Sequence, residues 1–488
     1  MLTRTTSQEL GVNLISRKPS LGFLVSGFLL AISSISLGWL TPDFDINSNS
    51  VLAIMRLTEL GQMLGVASLF LGVFLLLIMW LNIEHESHTP RELTRFALSA
   101  SLPSLFMPPL FSRDVYSYIA QGHLQLAGFN PYKVGVDQLH HWFKFGIDPM
   151  WAQTTTPYGA AYLLIEKFSA WIAIDNPYSS MVFLRAVNIV AFVVTIYGIN
   201  RLAKIHNISQ NFAIWLAVLN PITILHLINA VHNDSLMIAA IVWGFVFAHE
   251  KRLVIASLAI AFAIAIKPIA LIALPFLAIA KNPSFGIVQR IRDWATTAAV
   301  SLGTLVALGF LTKTGFGWIN AISTPGAVLN LAAPISLLSE ILDKSLVWFG
   351  HDLGSTIFPT IRITGLVFCA IYISKLAFDK SEESGTRRAA LALAFMILLS
   401  PVVFPWYFLW PLALFAGSGL RTVWAMRVSV YGTLLVVAYS IIEAVVVRDS
   451  AITSQELVFS AFVLISIFSL MRFKENREIL NLEQVNVA

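Results

Sequence analysis

Charge is what this chain has least of. Only 12% of its 488 residues are Asp, Glu, Lys or Arg, against about 25% in a typical soluble domain. Hydrophobic residues make up 57% of the chain and the mean hydropathy is +0.75. These values exclude a soluble enzyme and describe an all-α polytopic membrane protein. Cysteine is almost missing: Cys369 stands alone in an apolar run, so no internal disulfide can form. There is no internal repeat, no low-complexity tract and no stretch polar enough for a soluble catalytic domain, so residues 1–488 read as a single integral membrane domain. Asp-x-Asp and His-x-x-x-His spacings are missing around His232, and no metal or cofactor is expected. The net charge of +5 is no nucleic-acid signal. Most Lys and Arg lie in short connections between apolar runs, the pattern of positive-inside bias.

The apolar runs are what the chain has in abundance. A crossing helix needs roughly 20 apolar residues, fewer beside a protein-lined cavity. Runs fall near 20–40, 59–82, 95–111, 180–200, 211–229, 234–249, 253–266, 268–280, 294–312, 356–377, 388–403, 406–420, 425–446 and 455–472, which predicts about fourteen transmembrane helices, some short or broken. The first follows Arg4, Arg17 and Lys18 without a small-residue cleavage site and is expected to be a retained helix. Basic connections, among them Arg91/Arg95, Arg201/Lys204, Lys251/Arg252, Lys281/Arg290/Arg292, Lys380/Arg387/Arg388 and Arg421/Arg427, are assigned to the cytoplasm. Both tails, 1–19 and 473–488, fall on that side, which requires an even number of spans. The long segments 112–179 and 313–355 are then external, and their tryptophans suit interfacial helices. The expected location is the cytoplasmic (inner) membrane, with the functional site on its outer face.

Polar residues gather at that external side. Arg113-Asp114-Val115-Tyr116-Ser117-Tyr118 places an acid, a base and two tyrosines at the mouth of a helix. Spacings of three and four put Asp114, Tyr118 and Gln121 on one face. Asp114 suits either a general base or a helix cap. Gly128-Phe129-Asn130-Pro131-Tyr132 and Thr156-Pro157-Tyr158-Gly159 each join turn formers to a tyrosine. Between two apolar runs stands His232-Asn233-Asp234, preceded by Asn220-Pro221 and Asn229. Ionisable residues at such depth are candidates for function. His232 suits a phosphate oxygen, and Asp234 suits either a ligand or a helix cap. Lys267-Pro268 breaks another apolar run far from the basic loops, and an anionic head group is the expected partner of Lys267. The stretch Ser400–Pro411, which contains Pro405-Trp406-Tyr407 and Trp410, offers either an interfacial belt or a platform for a sugar or polyprenyl chain.

Together these elements resemble the GT-C glycosyltransferases. More closely, they resemble the MptA/MptB-type α-(1→6)-mannosyltransferases of lipomannan synthesis, over roughly residues 20–470. The resemblance rests on the order of the Arg113–Tyr118, Gly128–Tyr132, Thr156–Gly159, Asn220-Pro221, His232–Asp234, Lys267-Pro268 and Pro405–Tyr407 elements. One departure is Ala160, where the family usually continues Pro-Tyr-Gly with a second proline. The resemblance implies a GT-C-like fold and a polyprenyl-phosphate-mannose donor. It also implies a growing lipomannan or other glycolipid mannan acceptor, and an acid of the first large external loop as catalytic base.

With that donor the leaving phosphate departs as an anion, so one base suffices where a glycosidase needs two carboxyls. Asp114 is the expected base. Arg113, His232 and Lys267 would bind the donor phosphate, and Tyr116, Tyr118, Gln121, Tyr132, Tyr158, Asn233, Asp234, Trp406 and Tyr407 would bind substrate. Two alternatives remain open. One is a related transferase of another polyprenyl-linked sugar with a protein or lipid acceptor. The other is a secondary transporter or flippase, which also uses broken helices, although two related halves are not visible in this chain.

Overall fold

The computed structural model describes residues 18–446, apart from 175, 283, 285, 322–329, 331 and 351–353. The expected span at 455–472 and both predicted tail ends lie outside the described residues. Among the described residues every regular element is helical. Six helices are long and apolar enough to cross a membrane: Pro19–Leu37, Glu59–Asn82, Pro177–Ile205, Ile287–Leu311, Gly354–Phe378 and Val423–Ile441. A bent pair, Gln210–Val218 with Thr223–Asn229, adds a seventh if counted as one span.

The other apolar runs fold as shorter pieces, and the sequence explains why. The run at 95–111 splits into a helix Pro90–Ser101 and a 3-10 turn Leu102–Ser104, with Pro103 in the turn. The run at 268–280 becomes a 3-10 stretch Pro268–Ala273 and a short helix Phe276–Lys281, separated at Pro275. Proline lacks the N–H and clashes with the preceding turn, so each one interrupts the ladder.

The bent pair shows the same effect in detail. Its two arms are wide π-helical turns, Ile214–Val218 and Thr223–Asn229, meeting at 60° across Asn220-Pro221. Side chains replace the lost ladder bonds. Asn220 Oδ1 accepts from the Ile222 amide at 2.9 Å, and Thr223 Oγ1 donates to the Ala217 carbonyl at 2.6 Å. Non-helical backbone at membrane depth is tolerated only where protein surrounds it in this way. A tryptophan pair pins the first arm. Trp80 and Trp215 stack with centroids 5.1 Å apart, and each indole N–H donates to the other's main-chain carbonyl, at 3.0 and 2.8 Å. Such a pair adds about 0.5–1.5 kcal/mol beyond its burial.

The core runs through these broken elements. Helix Asp234–His249 packs against the Pro177–Ile205 helix and against Leu253–Ile266, which packs in turn on Ile287–Leu311, and most of the apolar residues of Asp234–His249 and Leu253–Ile266 are buried. Their ends define two poles. At one pole His206 and His249 both hydrogen-bond the Thr386 hydroxyl, at 3.2 and 2.9 Å, beside the basic connections. At the other pole the same helices deliver Arg185 and Asp234, together with the Asp114 segment, Lys267 and Trp406. Most of the polar elements singled out in the sequence collect at this second pole.

Candidate functional site

Asp114 opens the helix Asp114–Leu126. Arg113, not Asp114, occupies the capping position, and the Asp114 carboxylate makes no cap bond. Its main-chain amide is instead held by the Ser112 hydroxyl at 3.1 Å. The carboxylate is left free to face inward, with a quarter of the side chain still exposed and one oxygen 3.5 Å from His232 Nδ1. Burial pushes its pKa up to about 6, against the opposing pull of the Lys267 charge and the Ser112 hydroxyl; Asp234 and Asp148 push it further up.

His232 reaches Asp114 from a strained turn. Val231 before it has φ of 63° and is fully buried. A β-branched residue in the left-handed region is a true outlier, and such conformations persist where the surroundings over-determine them. The His232 ring stacks on Trp406 with centroids 3.5 Å apart, and Trp406 stacks on Phe404 at 4.8 Å. Behind it His226 lies 5.7 Å away and is hydrogen-bonded to Ser440 Oγ at 2.7 Å.

Lys267 and Asp234 form the second part of the site. Lys267 Nζ lies 3.0 and 2.8 Å from the two oxygens of Asp234, and Trp410 Nε1 donates to one of them at 2.6 Å. The rings of Tyr407, Trp410 and Tyr158 surround the ammonium at 5.3, 5.5 and 5.9 Å. Lys267 therefore has a protein partner, in addition to any anionic ligand. Asp234, the first residue of its helix, is a partner for that cation and not a cap.

The Gly128–Tyr132 and Thr156–Gly159 turns fold as one unit against Lys267. Asn130 Oδ1 accepts the Tyr132 amide at 2.9 Å, the Thr156 amide donates to the Pro131 carbonyl at 3.0 Å, and the Tyr132 hydroxyl donates to the Tyr158 carbonyl at 2.8 Å. Gly159 then donates its amide to the Ile266 carbonyl at 3.0 Å. A Cβ at Gly159 would lie 2.4 Å from the Ala265 carbonyl, so only glycine permits this approach. Ala160 is the first residue of the next helix, Ala160–Ala173. Proline is common there because the N–H of that position has no place in the helix ladder, so alanine preserves the helix start.

The expected site residues separate into groups. Asp114, His232, Asn233, Asp234, Lys267, Trp406 and Tyr407 gather around one centre. Tyr158 joins them, with Tyr118 packed edge-on against it at 5.2 Å. Gln121 and Tyr132 brace the turns, Gln121 Oε1 accepting from Thr156 Oγ1 at 2.7 Å. Tyr116 points to the other side of its helix, where its hydroxyl donates to the Trp39 carbonyl at 2.7 Å. Arg113 is bound to Asp148, with nitrogens 2.7 and 3.2 Å from Oδ2, and its guanidinium lies over Trp39 at 4.8 Å.

Several buried polar atoms at this centre lack hydrogen-bond partners: Tyr118 Oη, both His232 ring nitrogens, both Asn233 amide atoms and Trp406 Nε1. Native proteins rarely leave such groups unpaired. They converge beside two carboxylates, Asp114 and Asp234, and one lysine, an arrangement able to hydrogen-bond a polyhydroxylated ligand.

Sequence reasoning missed Arg185 and Asn188, and it took in Trp410 only as part of the aromatic stretch Ser400–Pro411. The signal for Arg185 was present, since it is the only charge within the apolar run at 180–200, and such a charge is functional by default.

The fold and this pole define a polytopic, all-helical membrane protein with a mixed-charge polar centre. Residues 20–282 match the family described as alpha-(1->6)-mannopyranosyltransferase, N-terminal domain, and residues 345–470 match the MptB C-terminal domain. Alpha-(1->6)-mannopyranosyltransferase A of Mycobacterium tuberculosis is 30% identical over 374 residues, covering 73% of this chain and 72% of that protein. The A protein of Corynebacterium glutamicum is 28% identical, covering 75% and 82%, and the B protein of the same organism is 24% identical, covering 68% and 59%. No solved structure matches. The chain belongs to the alpha-(1->6)-mannopyranosyltransferase family.

Proposed function

We propose that this protein transfers mannose from polyprenyl-phosphate-mannose to a growing α-(1→6)-linked mannan on a glycolipid, with inversion at the anomeric carbon and Asp114 as general base. The reading includes a GT-C-like fold of about fourteen spans, both termini in the cytoplasm and the site on the outer face of the cytoplasmic membrane. One observation carries the catalytic assignment. Of Asp114, Asp148 and Asp234, Asp148 is engaged by Arg113 and Asp234 by Lys267, while Asp114 has no bonded cation and keeps partial exposure.

In the reaction the acceptor hydroxyl attacks the anomeric carbon as its proton passes to Asp114. The bond from that carbon to the phosphate oxygen breaks, and its electron pair leaves with the polyprenyl phosphate. Lys267 has three N–H donors, and Asp234 offers it two oxygens, so one donor remains for the departing phosphate. A fixed charge aimed at a site of developing charge is the largest ordinary source of rate enhancement. Asn233 and Tyr118 carry free hydrogen-bonding atoms for sugar hydroxyls, and Trp406 and Tyr407 offer ring faces to the sugar or lipid. His232 stands beside the base and can offer a ring N–H to the phosphate, and Arg113, paired with Asp148, stands further out. The scheme calls for no metal or other cofactor.

The test is a transfer assay with purified protein, radiolabelled polyprenyl-phosphate-mannose and a short α-(1→6)-mannoside, with and without EDTA. An extended, α-mannosidase-sensitive product that forms equally with EDTA supports the reading. Donor binding without transfer to any mannoside would overturn the acceptor assignment, and loss of transfer in EDTA would overturn the metal-free scheme.

A further inference from the structure

Asp114 and His232 lie at the ends of two separate segments, and one buried cation joins them. Arg185, near the start of the Pro177–Ile205 helix, is 1% exposed. Its guanidinium donates to four main-chain carbonyls: from Nη1 to Leu105 at 2.9 Å and Met107 at 2.7 Å, from Nη2 to Asn229 at 2.9 Å, and from Nε to Ile228 at 3.2 Å. The first two carbonyls belong to the segment leading into Asp114. The other two close the π-helical arm leading into His232. Asn188, one turn further along the same helix, donates from Nδ2 to the Leu227 carbonyl at 3.3 Å and the His232 carbonyl at 2.9 Å. Asn229 completes the junction. Its Oδ1 accepts the Leu110 amide at 2.9 Å, and its Nδ2 donates to Ser34 Oγ and Ser104 Oγ at 3.1 and 3.3 Å.

The last carbonyls of a helix have no partners within it, and in this buried setting only side chains can supply them. A guanidinium is suited to the task because its donors form a rigid, planar fork. Here that fork spans two backbones and so fixes the distance between them. The turn it holds contains the left-handed Val231, a conformation that needs outside support.

We infer that Arg185 is a positioning residue which, with Asn188 and Asn229, sets the approach of His232 to Asp114. The inference rests on the reading of Asp114 as the base, but its structural half can be tested without activity. Full-length protein in nanodiscs is compared with Arg185→Lys, which keeps the charge and loses the fork, and with the milder Asn188→Ala. Two kinds of measurement are made: kcat, KM and the pH profile with polyprenyl-phosphate-mannose, and hydrogen–deuterium exchange.

Arg185→Lys should lower kcat by about 10- to 100-fold, as expected for a small misplacement of reacting groups. KM for the donor should stay unchanged and the acidic limb of the pH profile should move. Exchange should quicken in peptides covering 105–116 and 226–236 and stay constant elsewhere. Asn188→Ala should show the same pattern more weakly. Faster exchange at both segments with wild-type kcat and pH limb in both variants would overturn the positioning role. So would faster exchange throughout Arg185→Lys if Asn188→Ala behaved as wild type. If the wild-type protein transferred no mannose, the proposed activity would fail on its own account. The exchange arm would still decide whether the junction couples the two segments, and no change at either would overturn it.

Discussion

His232 Nδ1 stands 3.5 Å from a carboxylate oxygen of Asp114, held there by a 3.5 Å stack on Trp406. The histidine comes from a strained turn at the end of a broken span, and the carboxylate from the first turn of the helix Asp114–Leu126. Their meeting gives Asp114 a neighbour that is not a fixed positive charge. A base paired closely with Lys or Arg would hold its proton weakly, whereas Asp114 is left basic enough to accept one.

Asp114→Asn keeps the shape of the side chain and removes the base. Turnover should fall by about two to four orders of magnitude, while donor binding, measured separately, stays near wild type. Near wild-type transfer by this variant would end the assignment of Asp114 as the base.

The pH dependence follows from the same carboxyl. Burial raises its pKa to about 6, and the reaction needs the ionised form. Rate should therefore be full above that pH and decline as pH falls through it. Lys267 pulls the Asp114 pKa down, so Lys267→Gln should move the acidic limb toward higher pH as well as lowering kcat. Rate–pH profiles of the two proteins check both the position and the direction. A limb near the ordinary carboxylate range would show that burial does not raise this carboxyl.

The buried pair can be tested independently of catalysis. Asp234 is fully buried and Lys267 is 12% exposed at the side chain. Removing one partner strands the other, so Asp234→Ala should destabilise the protein by about 3–5 kcal/mol. Replacing both with leucine removes both charges, and such exchanges are often neutral or stabilising. The double variant should recover much of the stability but no transfer. Thermal unfolding in detergent, read beside the transfer assay, distinguishes the two effects; a double variant that transferred mannose would remove Lys267 from the mechanism.

Much of this pole was legible in the sequence, for identifiable reasons. Asp114, His232 and Lys267 stand out because charge in apolar surroundings is costly and therefore rare. His232-Asn233-Asp234 and Lys267-Pro268 stand out because they interrupt apolar runs, and both interruptions are present, whereas the bend at Asn220-Pro221 falls inside the run 211–229 expected as one helix. Pairing was not legible. Nothing in sequence tells Lys267 to bond Asp234, or Arg113 to bond Asp148, because each bond depends on which helix ends meet. Tyr116 was grouped with Asp114 through proximity in sequence, yet a two-residue offset on a helix turns a side chain to the far face, toward Trp39. Apolar periodicity also could not separate spanning helices from short ones, since a buried short helix and a lipid-facing span have similar compositions.

Gly159 offers a test of how the external turns are seated. Its Cα faces the backbone of Ala265, and a Cβ would come within 2.4 Å of the carbonyl carbon and oxygen there. Main chain cannot move aside as a flexible side-chain tip can. Gly159→Ala should therefore push the Thr156–Gly159 turn away from the end of the Leu253–Ile266 helix, at a cost of about 1–3 kcal/mol as for other overpacking changes. That displacement carries Tyr158 away from Lys267, whose ammonium lies 5.9 Å from its ring, and weakens the bond between Gly159 and Ile266. The expected result is a lower melting temperature together with a raised KM for the donor, because the wall beside Lys267, the proposed phosphate contact, has shifted. Ala160→Pro, one residue later, should leave both values near wild type, since the helix start accepts proline. Equal behaviour of the two variants would show that the close approach at Gly159 does not seat the turn.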